Sequence, residues 1–245
     1  YLWPVKPTLE GYNAVFSHRN VLTGYRNTIF YTLAGTAINV VITVLCAYPL
    51  SRRDMPMRGF FMFLFVFTMF FSGGLIPMYL LVNSLGMVNT VWSLLIPGAM
   101  SVYNMIITRT FFQNTVPKEL LEAAQIDGCS DARYFFNILL PLSQAVISVI
   151  ALYYAVGHWN SYFNALIYVR DARLQPLQLT LRSILLSTRV SLNEFEDPDL
   201  LAGKVGLEFL VKYALIVVSS APIMCLYPFV QKFFAKGVML GSVKG

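Results

Sequence analysis

The chain has 245 residues, of which 57% are hydrophobic and 12% charged, with a formal net charge of +6 and a mean hydropathy of +0.62. Because a soluble domain of this length carries roughly 25% charged residues, this composition excludes a soluble protein and predicts a surface that largely faces lipid. The basic residues are scattered over loop ends, so nothing points to nucleic acid as a partner. The three cysteines form no metal-ligand pair and no disulfide pattern.

Five stretches are long and apolar enough to cross a bilayer, which takes about 20 helical residues. Helix is predicted for each, because lipid offers no hydrogen-bond partner to backbone polar groups. The five predicted spans are residues 27–50, 59–81, 90–108, 138–157 and 207–229. Glycines and prolines predict interruptions in the second and third spans, either for close packing or to line a cavity. They are Gly73, Gly74, Pro77, Pro97 and Gly98.

The short loops predict the orientation. The loop 51–58 carries three arginines and the loop 82–89 carries no charge, so the positive-inside rule places the first in the cytoplasm and the second outside. Alternation then places residues 109–137 and the C-terminal tail inside, and the long segment 159–206 outside. With five spans the N-terminus would lie outside, which predicts a further helix upstream of the first residue.

The sequence predicts that another chain supplies the energy for transport. No ionisable side chain is near the middle of any predicted span, and such groups form the relay in most proton- or sodium-coupled transporters. A phosphate-cradling loop is missing too, because Gly203-Lys204 lacks the upstream glycine and is followed by Val205. His18 and His158 are lone histidines, and no catalytic pattern accompanies them. The sequence predicts a transport subunit without a metal or cofactor of its own.

Residues 116–141 carry several helix start and stop signals. In chain order these are a proline suited to a first helical turn, an acidic residue suited to the helix dipole, a glycine suited to a helix end and a serine that can cap a second helix. The residues are Pro117, Glu119, Gly128 and Ser130. They predict a short helix lying across the membrane face, with Glu122 exposed and with Ala123 and Ala124 offering a shallow surface to another protein.

The same stretch resembles the EAA loop of bacterial ABC importer permeases, through Glu122-Ala123-Ala124, three residues, Gly128, nine residues, Ile138, one residue and Leu140-Pro141. The resemblance implies an all-α type I ABC importer transmembrane domain over residues 1–245, in which the EAA loop is a coupling helix docked in a groove of the ATPase. The residues it assigns to ATPase coupling are Glu122, Ala123, Ala124, Asp127, Gly128, Leu140 and Pro141. A generic interfacial helix is the alternative, and it would not explain Gly128 together with Leu140-Pro141.

The resemblance also implies partners. These are a second permease subunit, two ATPase subunits that bind ATP and Mg, and an extracytoplasmic solute-binding protein, assembled in the bacterial inner membrane. Residues 158–166, 176–179 and 236–245 look like the carbohydrate branch of the family, the maltose-permease second-subunit type and its polysaccharide-related relatives. An oligosaccharide is the implied substrate, with an acidic, alginate-like one as an option. An importer of peptides or polyamines, and a channel without an ATPase, stay open as alternatives.

Aromatic and amide side chains near the end of the fourth predicted span suit sugar rings. The predicted substrate path is lined by Tyr153, Trp159, Asn160 and Tyr162. An interfacial aromatic belt is the alternative for the tryptophan and for the last tyrosine. Farther along, residues 174–195 have an amphipathic helical pattern, which predicts a helix lying flat outside that helps to dock the binding protein.

Overall fold

The computed structural model of the chain describes residues 8–192 and 209–225, which form helices joined by short turns, with no strand among them. In chain order the α-helices are α1 (Glu10–Phe16), α2 (Arg19–Ser51), α3 (Arg58–Phe70), α4 (Leu75–Ser84), α5 (Trp92–Leu95), α6 (Val102–Asn114), α7 (Lys118–Ile126), α8 (Asp131–Tyr134), α9 (Leu140–Leu142), α10 (Gln144–Trp159), α11 (Phe163–Tyr168), α12 (Leu177–Leu192) and α13 (Phe209–Cys225). A π-helical turn, Phe135–Leu139, joins α8 to α9, and a 3-10 turn, Ala172–Leu174, precedes α12. The predicted all-α class is confirmed.

Membrane-spanning length is reached by one continuous helix in the described part of the chain, Asn20–Ser51 within α2. Two more spans result if each of two bent pairs counts as one: α3 with α4, bent by 112°, and residues 131–142 with α10, bent by 78°. The first predicted span is therefore one continuous helix, the second and fourth coincide with the two bent pairs, and the third corresponds to α5 and α6 on either side of a break. The fifth predicted span extends past the described helix α13.

The interruptions follow from residues that do not fit a regular helix. Between α3 and α4 the chain passes through Gly73 and Gly74, the latter with φ of +86°. Between α5 and α6 it passes through Pro97 and Gly98, the latter with φ of +75°. Proline removes a helical hydrogen bond and glycine adopts the left-handed backbone at low cost, so the predicted interruptions in these two spans are confirmed.

The break between α5 and α6 is held by a polar network of Asn39, Thr43, Tyr154 and His158. The side-chain amide of Asn39 donates to the carbonyl of Ala99 at 2.7 Å, and its oxygen lies 2.7 Å from Nε2 of His158. The hydroxyl of Tyr154 accepts from the backbone N–H of Ser101 at 3.0 Å and lies 2.6 Å from Oγ1 of Thr43. These bonds supply partners to backbone groups that the break frees. His158 therefore has a partner in α2, which its isolation in the sequence does not indicate.

Helix α2 packs along α6, α10 and α12, and its two ends belong to different buried clusters. One cluster joins the C-terminal half of α2, which ends at Ser51, to α6, α7, α10 and the π-helical turn. It contains Val44, Ala47, Leu50, Met105, Phe112, Val116, Ala124, Tyr134, Phe135, Leu139, Val146, Ile150 and Tyr154. The other joins α1, α2, α12 and α13 around Trp159 and Leu177. In contrast, α3 buries none of its side chains, as suits a helix that faces lipid or another subunit.

Candidate functional site

Helix α7 forms the first half of the EAA loop, residues 116–141. It begins at Lys118, directly after Pro117, whose backbone is extended with φ of −60° and ψ of 138°, and Glu119 lies in its first turn. Proline at a helix start gives up no helical hydrogen bond, and a carboxylate there lies near the positive end of the helix dipole. The predicted helix start is confirmed to within one residue.

The end of α7 is fixed by Gly128. Its φ is +71°, in the left-handed region. The N–H of Gly128 donates to the carbonyl of Gln125 at 3.1 Å, and that of Cys129 donates to the carbonyl of Ala124 at 2.8 Å. This pair of bonds is a Schellman motif, which provides donors for carbonyls that a helix end leaves free. The side-chain hydroxyl oxygen of Ser130 then accepts a hydrogen bond from the backbone N–H of Arg133 at 3.4 Å and caps α8. Both predicted signals are confirmed.

The two alanines of the EAA motif lie on different faces of α7. Ala123 is exposed and Ala124 is buried, with 7% exposure, in the same cluster as Phe112 and Val116. The expectation that both offer a surface to a partner is therefore wrong for Ala124, because it lies three residues after Leu121 on the face that belongs to the buried cluster. Glu122 is exposed, as predicted, and so is Asp127.

Pro141 shapes the second half of the EAA loop. Proline has no N–H to donate, and its ring conflicts with the carbonyl four residues earlier in a regular α-helix. The π-helical turn Phe135–Leu139 directly before α9 gives the chain the wider path that this conflict requires. The axis then bends by 78° at the fully buried Ser143 before α10 begins. Leu140-Pro141 thus sets the direction in which the loop joins α10, although Pro141 itself is exposed.

Arg52 connects the end of α2 to the EAA loop. Its Nη1 donates to Asp131 at 2.7 Å and to the hydroxyl of Tyr48 at 3.1 Å, while its Nε and Nη2 donate to the two oxygens of Asp54 at 2.8 and 2.6 Å. The Arg52 side chain is 12% exposed. These bonds hold the pKa of the Asp54 carboxyl at about 2 and raise the pKa of the Arg52 guanidinium. These four residues, the Arg52 cluster, join segments that are 79 residues apart in the chain.

Helix α6 closes the other side of the same end of α2. Nε of Arg109 donates to the carbonyl of Leu50 at 2.9 Å, and the side-chain amide of Gln113 donates to the carbonyl of Ser51 at 3.1 Å. Cationic and amide donors are favourable partners for the last carbonyls of a helix. Between this junction and α7 lies a groove of about 510 Å³, whose lining includes Arg53, Arg58, Glu122 and Gln125.

The predicted substrate-path residues lie in different surroundings. Tyr153 is 48% exposed, and Asn160 is exposed with its amide donating to the carbonyl of Val156 at 2.9 Å. Trp159 is 5% exposed: its indole N–H donates to the carbonyl of Ser219 in α13 at 3.0 Å, and it packs against Tyr25. The structure therefore gives Trp159 a packing position between helices, with little of its ring left for a sugar.

Tyr162 lies after the end of α10, directly before α11. The guanidinium of Arg182, from α12, lies 5.0 Å from the centre of its ring, a cation–π arrangement. Along α12 Leu177, Leu181 and Ile184 are buried while Arg182 is exposed, so the predicted helix is confirmed over residues 177–192 and its amphipathic character over residues 177–187. Residues 193–195 of that prediction lie outside the described residues. Its docking role stays a prediction.

The Arg52 cluster is what sequence reasoning missed. Arg52 contributed only to the orientation rule, and no local pattern links it to Asp131. In the described residues no group of three or more His, Cys, Asp or Glu side chains could hold a metal ion.

Comparison with known sequences decides the family. Residues 25–239 match the family described as binding-protein-dependent transport system inner membrane component. The chain belongs to this family. It is a transport permease rather than an enzyme, and the matched range includes the whole EAA loop.

The permease has relatives that match over its whole length. It is 44% identical over 245 residues to Protein LplC of Bacillus subtilis (strain 168). That alignment covers 100% of this chain and 82% of LplC. It is 43% identical over 244 residues to the polygalacturonan/rhamnogalacturonan transport system permease protein YtcP of the same bacterium, covering 100% of this chain and 84% of YtcP.

A solved structure confirms the fold. A chain in the crystal structure of a bacterial ABC transporter involved in the import of the acidic polysaccharide alginate matches with a TM-score of 0.81 and 31% identity. The match covers 94% of the permease and 81% of that chain. The permease therefore has the transmembrane fold of a type I ABC importer.

Proposed function

We propose that the permease forms, with a second permease subunit, the path for an oligosaccharide that a solute-binding protein delivers, and that the EAA loop couples this path to two ATPase subunits. The observation that carries the proposal is the geometry of α7. A short helix is fixed at its start by Pro117 and at its end by the Schellman motif of Gly128, and it presents Glu122 and Ala123 outward.

Such a helix suits the transmission of movement. Its buried face, through Ala124, belongs to the cluster that contains Val44 and Leu50 of α2, so packed side chains connect α7 to α2. Its exposed face combines a small side chain, which permits close approach, with a carboxylate that can pair with a cation of the partner. The arginine-bearing loop 51–58 lies beside it, which supports a cytoplasmic position for α7 and for the C-terminus.

An acidic oligosaccharide is the substrate class that we favour. YtcP is named for polygalacturonan and rhamnogalacturonan, and the structural relative belongs to an importer of the acidic polysaccharide alginate. Three arginines are exposed on the face proposed to be outside: Arg170, Arg173 and Arg182. Of these three, only Arg173 forms an ion pair with a carboxylate of the described residues, that of Asp171. Exposed arginines suit a uronate and would repel a cationic polyamine. The exposed Tyr153 and Asn160 and the half-buried Tyr162 are proposed to contact sugar rings.

Uptake in reconstituted vesicles tests the proposal. The permease, its partner permease, the ATPase subunits and the binding protein are assembled in vesicles, and uptake of labelled oligogalacturonate is compared with uptake of a neutral oligosaccharide of equal length. We expect uptake that requires ATP and the binding protein and that prefers the acidic substrate. Preference for the neutral sugar would contradict the acidic class alone. Uptake of a peptide or polyamine instead would contradict the carbohydrate assignment.

A further inference from the structure

The Arg52 cluster uses every nitrogen of one guanidinium to join two segments. Nε and Nη2 hold Asp54 in a bidentate pair within the loop after α2, while Nη1 reaches Asp131 in the first turn of α8. The carboxylates are about equally exposed, 65% for Asp54 and 67% for Asp131, whereas the Arg52 side chain is 12% exposed. Among the hydrogen bonds that the Arg52 side chain donates, only the one to Asp131 leaves α2 and the loop that follows it. A planar guanidinium can hold one carboxylate bidentately while it donates to a second, a geometry that the compact ammonium of lysine does not reproduce.

Apolar packing reinforces the bond between Arg52 and Asp131. The ring of Tyr48, one turn before Arg52, lies 5.0 Å from the ring of Phe135, one turn after Asp131. Phe135 and Tyr134 share a buried cluster with Leu50 of α2. A shift of α8 therefore meets close-packed atoms of α2, which transmit strain instead of compressing.

The covalent route from the EAA loop to the membrane helices is less direct. It passes through the π-helical turn and the 78° bend at Ser143 before α10 begins. In contrast, α2 continues without a break from the Arg52 cluster to Asn39, a distance of about 20 Å at 1.5 Å per residue. At Asn39 it holds the backbone of Ala99 in the break between α5 and α6.

We propose that Arg52 is a positioning residue that passes movement of the EAA loop into helix α2 through Asp131, and through α2 to the break between α5 and α6. The inference rests on the proposed coupling function and adds to it a second route, separate from α10. The competing view is that Arg52 only orders its own loop through Asp54. The first view predicts that coupling depends on the carboxylate of Asp131, and the second that only the carboxylate of Asp54 is needed.

Asp54 and Asp131 provide a matched pair of variants. Each is an exposed carboxylate on the same arginine, and Asp54→Asn and Asp131→Asn remove the same charge. In the reconstituted complex we measure the ratio of ATPase activity with the binding protein to ATPase activity without it. We expect Asp131→Asn to lower this ratio about two- to five-fold, the upper part of the range for an exposed ion pair, and Asp54→Asn to leave it unchanged.

A charge exchange provides the second measurement. Arg52→Asp alone should lower the ratio at least as much as Asp131→Asn, and Arg52→Asp combined with Asp131→Arg should restore part of it. A merely structural role predicts instead that expression, melting temperature and both ATPase activities fall together without rescue. Equal effects of Asp54→Asn and Asp131→Asn on the ratio, or no effect of either, would overturn the inference. The proposed function would still stand in that case, provided that the binding protein stimulates the wild-type complex. No stimulation in the wild-type complex would contradict both.

Discussion

Replacing Gly128 with valine should separate ATP hydrolysis from uptake. The Cβ of a residue at 128 would meet no atom within 4 Å, so the cost is not a steric clash with neighbours. The cost lies in the backbone, because φ of +71° is penalised by about 1–2 kcal/mol for a residue with a Cβ, and a β-branched residue is a clear outlier there.

The chain can avoid this strain only by losing the helix end. If residue 128 moves to negative φ, the N–H of Cys129 no longer reaches the carbonyl of Ala124, and a hydrogen bond worth about 1 kcal/mol is lost. Both outcomes cost about 1–2 kcal/mol, which corresponds to a factor of 5–30 between two conformations. The direction of α8 relative to α7 is then no longer fixed.

Uptake and binding-protein-stimulated ATPase activity in reconstituted vesicles measure the effect. We expect Gly128→Val to lower uptake more than hydrolysis, while Gly128→Asn stays near the wild type because asparagine tolerates the left-handed backbone. Gly59→Val is the matched control: a Cβ at this exposed glycine also meets no neighbouring atom within 4 Å, and its φ is not positive. Normal expression of Gly128→Val with wild-type uptake would refute the reasoning.

Three further predictions follow from the same structure. Glu122→Lys should weaken co-purification of the ATPase subunits without lowering expression, because it removes the exposed carboxylate of α7; unchanged co-purification would contradict this. Gly35→Val should destabilise the permease by about 1–3 kcal/mol, because a Cβ there would clash with the imidazole ring of His158, and an unchanged melting temperature would count against it. A cysteine at Arg53 should be labelled only from the cytoplasm and one at Asn83 only from outside; the reverse pattern would overturn the orientation.

Local signals predicted the EAA loop well. The end of α7 at Gly128 and the cap at Ser130 depend on residues within five positions of each other, so a single stretch of sequence contains the whole cause. The same holds for the interruptions at Gly74 and Gly98, where backbone conformation decides. The face of Ala124 could also have been found, because its spacing of three from Leu121 places both on one side of a helix.

Features that depend on distant segments could not be predicted. The bond between Arg52 and Asp131 joins residues 79 apart, and Trp159 reaches Ser219 across 60. Each of these contacts depends on how the whole chain packs, and the periodicity of a sequence carries no information about that packing. The bend before α10 is an intermediate case: Pro141 gives a local signal, but the surrounding apolar residues make the stretch look like one continuous span.

Cross-linking from α7 to the ATPase tests the central claim most directly. In a permease whose Cys46, Cys129 and Cys225 are replaced by serine, Ala123→Cys places a thiol on the exposed face of α7, and Asn83→Cys places one on the proposed outer side. With a short thiol-reactive cross-linker, the account predicts an adduct with the ATPase subunit from Ala123→Cys and none from Asn83→Cys. An adduct from Asn83→Cys, or none from a well-labelled Ala123→Cys, would contradict it.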